Sequence, residues 1–251
     1  MQHPYVSVIL PCYNEIKNLK RGVLGTIAKY LSSKEYDYEV IVSDDGSTDD
    51  SLDFVKSYAS QNPHFQVVSN THAGKAVALE SALREAKGKF VLFTDMDQST
   101  PITELDKVLP HVRDGYKVVI GSRGITRKDA PVYRKLASFI FMLARRLIIL
   151  PEIVDTQCGY KLLETSLAKK VFDKMSVLQN LGPANGWKVT AYDVEMLYLA
   201  KKLGQKICEV KVIWNDEDTS VGKERNFVKE SIDMLVQILR VRYNDLRGKY
   251  N

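Results

Sequence analysis

Short apolar runs alternate with segments of helical spacing along the first half of the chain. The apolar runs predict strands at residues 6–10, 38–43, 65–69, 90–94 and 117–121. Apolar residues three and four positions apart predict helices over 18–31, about 75–86 and near 102–113. This alternation, with short connections, predicts an α/β fold: a mostly parallel, Rossmann-like central sheet with helices on both faces.

The pattern changes after Arg123. A long helix near 131–150 combines arginines with large apolar residues, and residues 155–163 predict a strand or a turn. Further segments predict helices near 165–175 and 194–203 and a strand over 206–214. A final amphipathic helix is predicted over 227–242.

Composition narrows the class of protein. The chain has 251 residues, three cysteines without a CxxC pair, and a net charge of +5. These values predict a globular protein of a reducing compartment with an anionic partner. Basic residues concentrate in 123–146 and 223–249 without interleaved aromatics, which favours phosphate groups and a membrane surface over nucleic acid. No signal peptide or transmembrane helix is predicted, because the longest apolar run, 136–144, is too short to span a bilayer.

Polar and acidic residues follow several of the predicted strands. They occupy 11–15, 44–49, 95–97 and 121–123, and the carboxyl ends of parallel strands share one edge of a sheet. Asp95 and Asp97 follow a nearly all-apolar strand, so both carboxylates can approach one cation. Mg²⁺ or Mn²⁺ is expected there, since these ions favour oxygen ligands and substrate phosphates. A solvated turn is the alternative.

The acidic turn at 44–49 can accept hydrogen bonds from a base or ribose. An Asx-turn with a helix cap is an alternative compatible with that role. Tyr13 can stack on a base and Glu15 can hold a ribose hydroxyl, although this segment can equally begin a helix. No GxGxxG follows the first strand, which argues against a dinucleotide-binding domain of that type.

Three segments together resemble the family 2 glycosyltransferases with the GT-A fold: Pro-x-Tyr-Asn-Glu at 11–15, Asp-Asp-Gly-Ser-Thr-Asp at 44–49 and Asp-x-Asp at 95–97. Further segments resemble the dolichyl-phosphate β-glucosyltransferase branch: 121–123, Arg134 with Ser138, 192–195, and Asp-Thr-Gln-Cys-Gly-Tyr-Lys at 155–161. The last string is the most specific. The N-terminal membrane anchor of the eukaryotic members of this branch is not expected here.

The resemblance implies an inverting transfer of a hexose, foremost glucose from UDP-glucose, to dolichyl or polyprenyl phosphate. It implies a divalent ion, Mg²⁺ or Mn²⁺, and the donor diphosphate at Asp95 and Asp97. It places the nucleoside near Pro11, Tyr13, Glu15, Asp44 and Asp45. Lys75 lies in a Gly-Lys-Gly-like segment whose second glycine is Ala76 here, which puts the backbone freedom of that position in question.

A lipid monophosphate carries about −1.5 to −2 charges at neutral pH, so it is already a nucleophile and a strong general base is not obligatory. Its site needs cations. The candidates are Arg123, Arg134, Ser138 and Lys161, of which Arg134 is preferred.

Three residues are expected to be catalytic: Asp97, Arg134 and Asp193. Asp193 and Glu195 lie where family members place a catalytic carboxylate, although a helix N-terminus also favours acids. Ser220 and Lys223 are expected to close over the diphosphate.

The domain prediction is a GT-A domain over 1–225, with a nucleotide-sugar half at 1–123 and an acceptor half at 124–225, followed by a basic amphipathic helix over 226–251. The helix near 131–150 is expected to lie in the membrane interface, packing against the sheet or a dimer partner being the alternative. A peripheral location on the cytoplasmic face is therefore expected. The rival functions are a mannosyl- or N-acetylglucosaminyl-phosphate lipid synthase, a family 2 transferase with a soluble acceptor, and a non-enzymatic nucleotide-sugar-binding scaffold.

Overall fold

The computed structural model describes residues 3–124, 146, 148–179, 192–215 and 227–250, with the backbone alone for 227–234. The strands are β1 (Val6–Cys12), β2 (Tyr38–Asp44), β3 (Phe65–Ser69), β4 (Phe90–Phe93), β5 (Val118–Ser122), β6 (Lys161–Glu164) and β7 (Ile207–Lys211). The helices are α1 (Ile16–Lys20), α2 (Val23–Ser32), α3 (Ser51–Gln61), α4 (Lys75–Glu85), α5 (Leu105–Arg113), α6 (Thr165–Lys174), α7 (Ser176–Gln179), α8 (Tyr192–Lys202) and α9 (Phe227–Leu246).

Within the described residues the strands form one seven-stranded sheet in the order β3-β2-β1-β4-β6-β5-β7. The pairs β1–β2, β2–β3, β1–β4 and β5–β7 are parallel, whereas β6 runs antiparallel to both β4 and β5. The predicted mostly parallel α/β sheet is therefore confirmed. The antiparallel β6 lies in the segment for which the sequence left strand and turn open.

Apolar side chains leave the central strands on both faces. Along β1, Ile9 packs into one buried cluster with α4, α6 and α8, while its neighbours Val8 and Leu10 pack into a second cluster with α1, α2 and α5. Successive side chains of a strand point to opposite faces, so a strand covered on both faces has to be apolar at almost every position. The apolar runs that predicted the strands have this cause.

One predicted helix is two in the structure. Residues 18–31 were expected to form a single helix, but α1 ends and α2 begins around Gly22, whose φ is +84°. Glycine adopts this left-handed conformation without the steric penalty of a side chain, so the chain can turn between the helices. The apolar spacing continues across the break because Leu19 and Leu24 face the same core.

Several predictions lie outside the described residues. They are most of the helix near 131–150, and the site residues Arg134, Ser138, Ser220 and Lys223. Among the helices that the structure describes, none is both long and apolar enough to cross a membrane. The final helix is present and extends to Leu246, four residues beyond its predicted end.

Candidate active site

The carboxyl ends of β1, β2 and β4 meet at one edge of the sheet. Cys12 at the end of β1 pairs with Asp44 at the end of β2, and the backbone N–H of Asp45 donates to the carbonyl of Cys12 over 2.8 Å. The backbone N–H of Thr94, just after β4, donates to Ile9 on β1. Because β6 is antiparallel, its first residue, Lys161, lies at this same edge, opposite Phe93.

Asp95 is held by a lysine. The Lys75 ammonium donates to Asp95 Oδ1 over 2.5 Å, and the two side chains keep 34% and 38% of their surface exposed. Burial alone would raise the pKa of the Asp95 carboxyl, but the charges of Lys75, Lys161 and Arg123 hold it below its usual value. Asp95 is therefore an anion that already attracts a cation.

Lys75 begins α4 directly after Gly74, whose φ of +101° lets the chain turn into the helix. The next residue, Ala76, is a buried helical residue of the core, so the backbone freedom of a second glycine is not used there. Burial would lower the pKa of Lys75, but the adjacent Asp95 carboxylate raises it well above its usual value.

Asp97 lies in the turn that follows Asp95, and its Oδ1 accepts from the backbone N–H of Ser99 over 2.8 Å. Gln98 has a φ of +54° and supports this turn. Its amide donates to the Asp95 carbonyl over 2.8 Å, and its oxygen accepts from the Ile102 N–H over 3.0 Å. Gln98 thus shapes the backbone of the turn that carries Asp97.

The donor chemistry of the edge fits a hard divalent ion. Among the described residues, no group of three or more His, Cys, Asp or Glu residues converges as a complete metal cage. An ion that also binds substrate phosphate oxygens needs only one or two carboxylates from the protein, and Asp95 and Asp97 offer two. The Lys75 ammonium already places one positive charge against the Asp95 carboxylate.

The string at 155–161 builds the wall next to these carboxylates. At Gly159 a Cβ atom would lie 2.1 Å from Asp95 Oδ2 and 2.7 Å from its Cγ, so only glycine fits. The neighbouring Tyr160 is fully buried, and its hydroxyl donates to the Ile102 carbonyl over 3.1 Å. The specificity of this string thus has a structural reason: it sets the backbone against Asp95.

Lys161 is a buried lysine, with a side chain 2% exposed. Its ammonium donates to the Cys158 carbonyl and to Asp193 Oδ1, the latter an ion pair across the edge from β6 to the start of α8. An ammonium so deeply buried requires such partners. The geometry favours Lys161 as the group that positions Asp193 over the predicted direct contact with the acceptor phosphate.

Glu195, two residues after Asp193, points away from this cluster. Its fully buried carboxylate accepts from the Ser176 N–H (2.7 Å), the Val177 N–H (3.0 Å) and the Tyr250 hydroxyl (2.6 Å). It therefore joins α7 and the C-terminal residues to α8. Of the two acids in this segment, Asp193 alone lies at the candidate site.

Arg123 is held on the far side of the edge. Its guanidinium donates to both oxygens of Asp155, over 2.7 and 2.8 Å, and lies 5.8 Å from the ring of Trp214. Burial alone would raise the pKa of Asp155, but Arg123 lowers it to about 2. Glu209 accepts from the Asp155 backbone N–H over 2.7 Å, which completes a fixed array.

The two aspartates of the acidic turn after β2, Asp44 and Asp45, have different roles. Asp45 accepts from His72 Nδ1 and from the backbone N–H groups of Ala73 and Gly74, so it shapes the segment that leads to Lys75. Asp44 accepts from the turn through Oδ2 only. Its Oδ1 is buried and has no hydrogen-bond partner among the described residues. Asp44 thus retains an acceptor that a bound donor group can satisfy.

Tyr13 stacks on His72, with ring centroids 4.2 Å apart and planes 9° from parallel. Because a carboxylate only accepts, His72 donates from Nδ1 to Asp45, and this fixes the ring. Pro11 lies on β1 beside Ser43, half-buried, and Glu15 accepts from Asn18 over 2.6 Å.

Asn14, with a φ of +56°, connects the loops after β1 and β2. Its side-chain oxygen accepts from the backbone N–H groups of Thr48 and Asp49. Sequence reasoning named neither Asn14 nor His72, Gly159 or Asp155 as a functional residue. All four lie in or beside the quoted motifs, but their roles depend on contacts between residues far apart in sequence.

Comparison with known proteins agrees with this architecture. The profile described as glycosyl transferase family 2 matches residues 7–172. A dolichyl-phosphate beta-glucosyltransferase of Trichomonas vaginalis is 30% identical over 248 residues, covering 92% of this chain and 72% of the relative. The enzyme of that name from Dictyostelium discoideum is 31% identical over 261 residues, covering 97% and 76%.

Solved structures share the fold. Mannosyl-3-phosphoglycerate synthase from Rubrobacter xylanophilus superposes with a TM-score of 0.66 at 20% identity, over 98% of this chain and 75% of that one. Glucosyl-3-phosphoglycerate synthase from Mycobacterium tuberculosis, in complex with Mn²⁺ and UDP-glucose, gives a TM-score of 0.64 at 19% identity, over 96% and 79%. The predicted GT-A fold is confirmed, and the chain belongs to glycosyl transferase family 2.

Proposed function

We propose that this protein is an inverting hexosyltransferase that moves glucose from UDP-glucose onto dolichyl or polyprenyl phosphate at a membrane surface. The observation that carries the proposal is the similarity to dolichyl-phosphate beta-glucosyltransferases, at 30–31% identity, over more than nine-tenths of the chain. That similarity includes the residues 155–161 that frame Asp95.

The donor side follows from the arrangement after β1 and β2. We assign the uridine to Pro11, Tyr13, Glu15 and Asp44, because the Tyr13–His72 stack offers an aromatic face and Asp44 Oδ1 is a buried acceptor. Asp45 acts indirectly, because it holds the segment 72–74 that leads to Lys75. We assign Lys75 to the diphosphate, because its positive charge can bind phosphate oxygens.

Asp95 and Asp97 are the residues that would hold the divalent ion. When bound, Mg²⁺ or Mn²⁺ supplies a positive charge that stabilises the diphosphate as it leaves. The neighbour in complex with Mn²⁺ and UDP-glucose is consistent with either ion, since both favour the same oxygen ligands. The residues of this chain position the donor, and Lys75, bound to Asp95, already adds a positive charge beside the position proposed for the diphosphate.

On the acceptor side, the phosphate oxygen itself attacks the anomeric carbon, so the protein has to orient it and neutralise its charge. We assign orientation to Arg134 and Ser138, closure to Ser220 and Lys223, and charge balance to the Arg123–Asp155 and Lys161–Asp193 pairs. We assign contact with the transferred sugar to Asp193. In this division, residues 1–123 bind the donor and 124–225 the acceptor, although β6 of the second half pairs within the sheet of the first.

A peripheral position on the cytoplasmic face of a membrane follows from the acceptor. A polyprenyl chain leaves a bilayer at a cost of about 0.8 kcal/mol per CH₂, so the enzyme has to approach the lipid. The predicted interfacial helix near 131–150 and the basic residues around it suit that approach.

One assay tests the proposal: purified protein with Mn²⁺ or Mg²⁺, a panel of labelled UDP- and GDP-sugars, and a short polyprenyl phosphate. We expect glucosylated lipid from UDP-glucose and loss of product on chelation. Product from GDP-mannose or UDP-N-acetylglucosamine instead would establish a rival donor. Transfer only to a soluble acceptor such as 3-phosphoglycerate, or donor binding without turnover, would contradict the proposed function.

A further inference from the structure

An exposed apolar row runs along α9. Of the large hydrophobic residues exposed in the part of the chain that the structure describes, all but Ile213 lie on this helix: Leu235, Val236, Leu239, Tyr243 and Leu246, at 36–72% exposure. These five side chains face outward, away from the core.

Arginines border the row on both sides. At 3.6 residues per turn, the five apolar residues span an arc of about 100°. Arg242 lies about 20° beyond one edge of this arc and Arg240 about 40° beyond the other. Arg247 continues the second border, with its guanidinium 5.5 Å from the ring of Tyr243.

The opposite side of α9 fixes the helix against the protein. Ile238 and Val241 are buried in the core beneath the sheet. Asp245, the acid within the described side chains of this helix, faces inward, where it accepts from Lys202 and from the Tyr198 hydroxyl over 2.5 Å each. Because these contacts fix the orientation of the helix, the apolar row stays exposed, with Arg240, Arg242 and Arg247 along its borders. Arg242 also pairs with Asp245 over 3.3 Å, so Arg240 and Arg247 supply most of the unbalanced positive charge among the described side chains.

We propose that α9 docks on the surface of an anionic lipid bilayer. An apolar face bordered by arginines is the pattern of a helix that lies in the membrane interface, with its side chains among the headgroups and its cations near lipid phosphates. A second copy of this chain would have to accommodate like-charged arginine borders. The docking surface rests on the proposed function in that a lipid acceptor requires the enzyme at a bilayer.

Flotation of the full chain with vesicles tests this surface without donor or acceptor. We expect binding to vesicles of phosphatidylcholine with phosphatidylglycerol, weaker binding to phosphatidylcholine alone, and a decrease with added salt. Leu239→Ser with Leu246→Ser should lower the binding constant at least about tenfold, since both side chains lose apolar contact with lipid. Ile213→Ser is the matched control: it removes similar exposed surface outside α9, and binding should not change.

The charge borders need a separate variant. Arg240→Gln with Arg247→Gln should remove the preference for anionic vesicles, while thermal unfolding stays as in the parent protein. Unchanged flotation of the Leu239/Leu246 variant would overturn the proposal. It would also be overturned if light scattering showed a dimer that this variant dissociates, with no vesicle binding by the parent, because a second copy would then cover the row.

Failure here is distinguishable from failure of the proposed function. With a short, water-soluble polyprenyl phosphate, the Leu239/Leu246 variant should transfer glucose at the parent rate, because both side chains are exposed and neither makes a polar contact with the described residues of the candidate site. With a long-chain acceptor in vesicles its rate should fall along with binding. If the parent protein transferred to neither acceptor, the function would be wrong, and flotation would still decide the docking surface.

Discussion

Gly159→Ala should disable the enzyme through Asp95 alone. The added Cβ would lie 2.1 Å from Asp95 Oδ2, and Cβ atoms in proteins essentially never have a contact under 3.0 Å. The carboxylate therefore has to retreat by at least 0.9 Å, the difference between these two distances. It can do so toward the open edge, because 38% of its side-chain surface is exposed.

The displacement is large on the scale of catalysis and small on the scale of folding. A shift of about 1 Å in a positioning group can lower a rate by about 100-fold. Overpacking costs about 1–3 kcal/mol where nothing can move, and the lower end applies here, equivalent to a decrease in Tm of about 2–4 °C for a chain of this size. We thus expect turnover to fall about 100-fold, and half-saturation by Mn²⁺ to rise, in a folded protein.

The assay is glucosyl transfer across a Mn²⁺ titration, together with thermal unfolding. Gly25→Ala is the matched control, since Gly25 lies within α2 and a Cβ there meets nothing within 4 Å. It should keep full activity and unfold no earlier than the parent, because alanine favours a helix over glycine. Normal turnover and normal Mn²⁺ dependence in Gly159→Ala would refute the position assigned to Asp95.

Three further predictions follow from the charged groups. Asp97→Ala should abolish metal-dependent transfer in the assay but leave the Tm within a few degrees, because the residue lies beyond a strand end. Asp155→Asn should lower the free energy of unfolding by about 2 kcal/mol at neutral pH, because Arg123 outweighs burial and lowers the pKa of Asp155 to about 2. Since a depressed carboxyl pKa stabilises in full above the unfolded value and loses this effect as the pH falls to the folded value, urea unfolding should show the difference shrinking between about pH 4 and pH 2. Lys161→Met should destabilise by about 3–5 kcal/mol by leaving Asp193 without its cation, and adding Asp193→Leu should recover part of it in the same measurement.

Much of the fold was predictable because each signal is local. Strand β2 is buried along almost its whole length, so its apolar run located 38–43 to within one residue, and 65–69 was located although β3 is a partly exposed edge strand. The break at Gly22 was missed because apolar spacing continues across it, with the glycine conformation as the only sign. The antiparallel β6 was left open because its direction depends on pairing with β4 and β5, which are distant in sequence.

The acidic edge was also predictable, since the ends of parallel strands meet. The ion pairs within this edge were not predictable. Lys161 and Arg123 were both assigned to the acceptor phosphate as cations near the site, but Asp193 and Asp155 hold them at hydrogen-bond distance. A sequence shows that acids and bases are present, whereas the partner of each is decided by the backbone that carries it. Gly159 shows the same limit, because its role exists only through the nearness of Asp95.

These ion pairs account for a requirement for a divalent metal ion. Around the edge, Asp95 is bound to Lys75, Asp193 to Lys161 and Asp155 to Arg123, so each of these cations is already matched by a carboxylate. A diphosphate that entered such a site alone would add negative charge beside fixed carboxylates, in surroundings where charge is poorly screened. A divalent ion at the proposed ligands Asp95 and Asp97 would remove that excess and leave the Lys161–Asp193 and Arg123–Asp155 pairs intact. Metal dependence is thus a consequence of how the lysines and arginine are used, and freeing Lys161 by Asp193→Asn should weaken it.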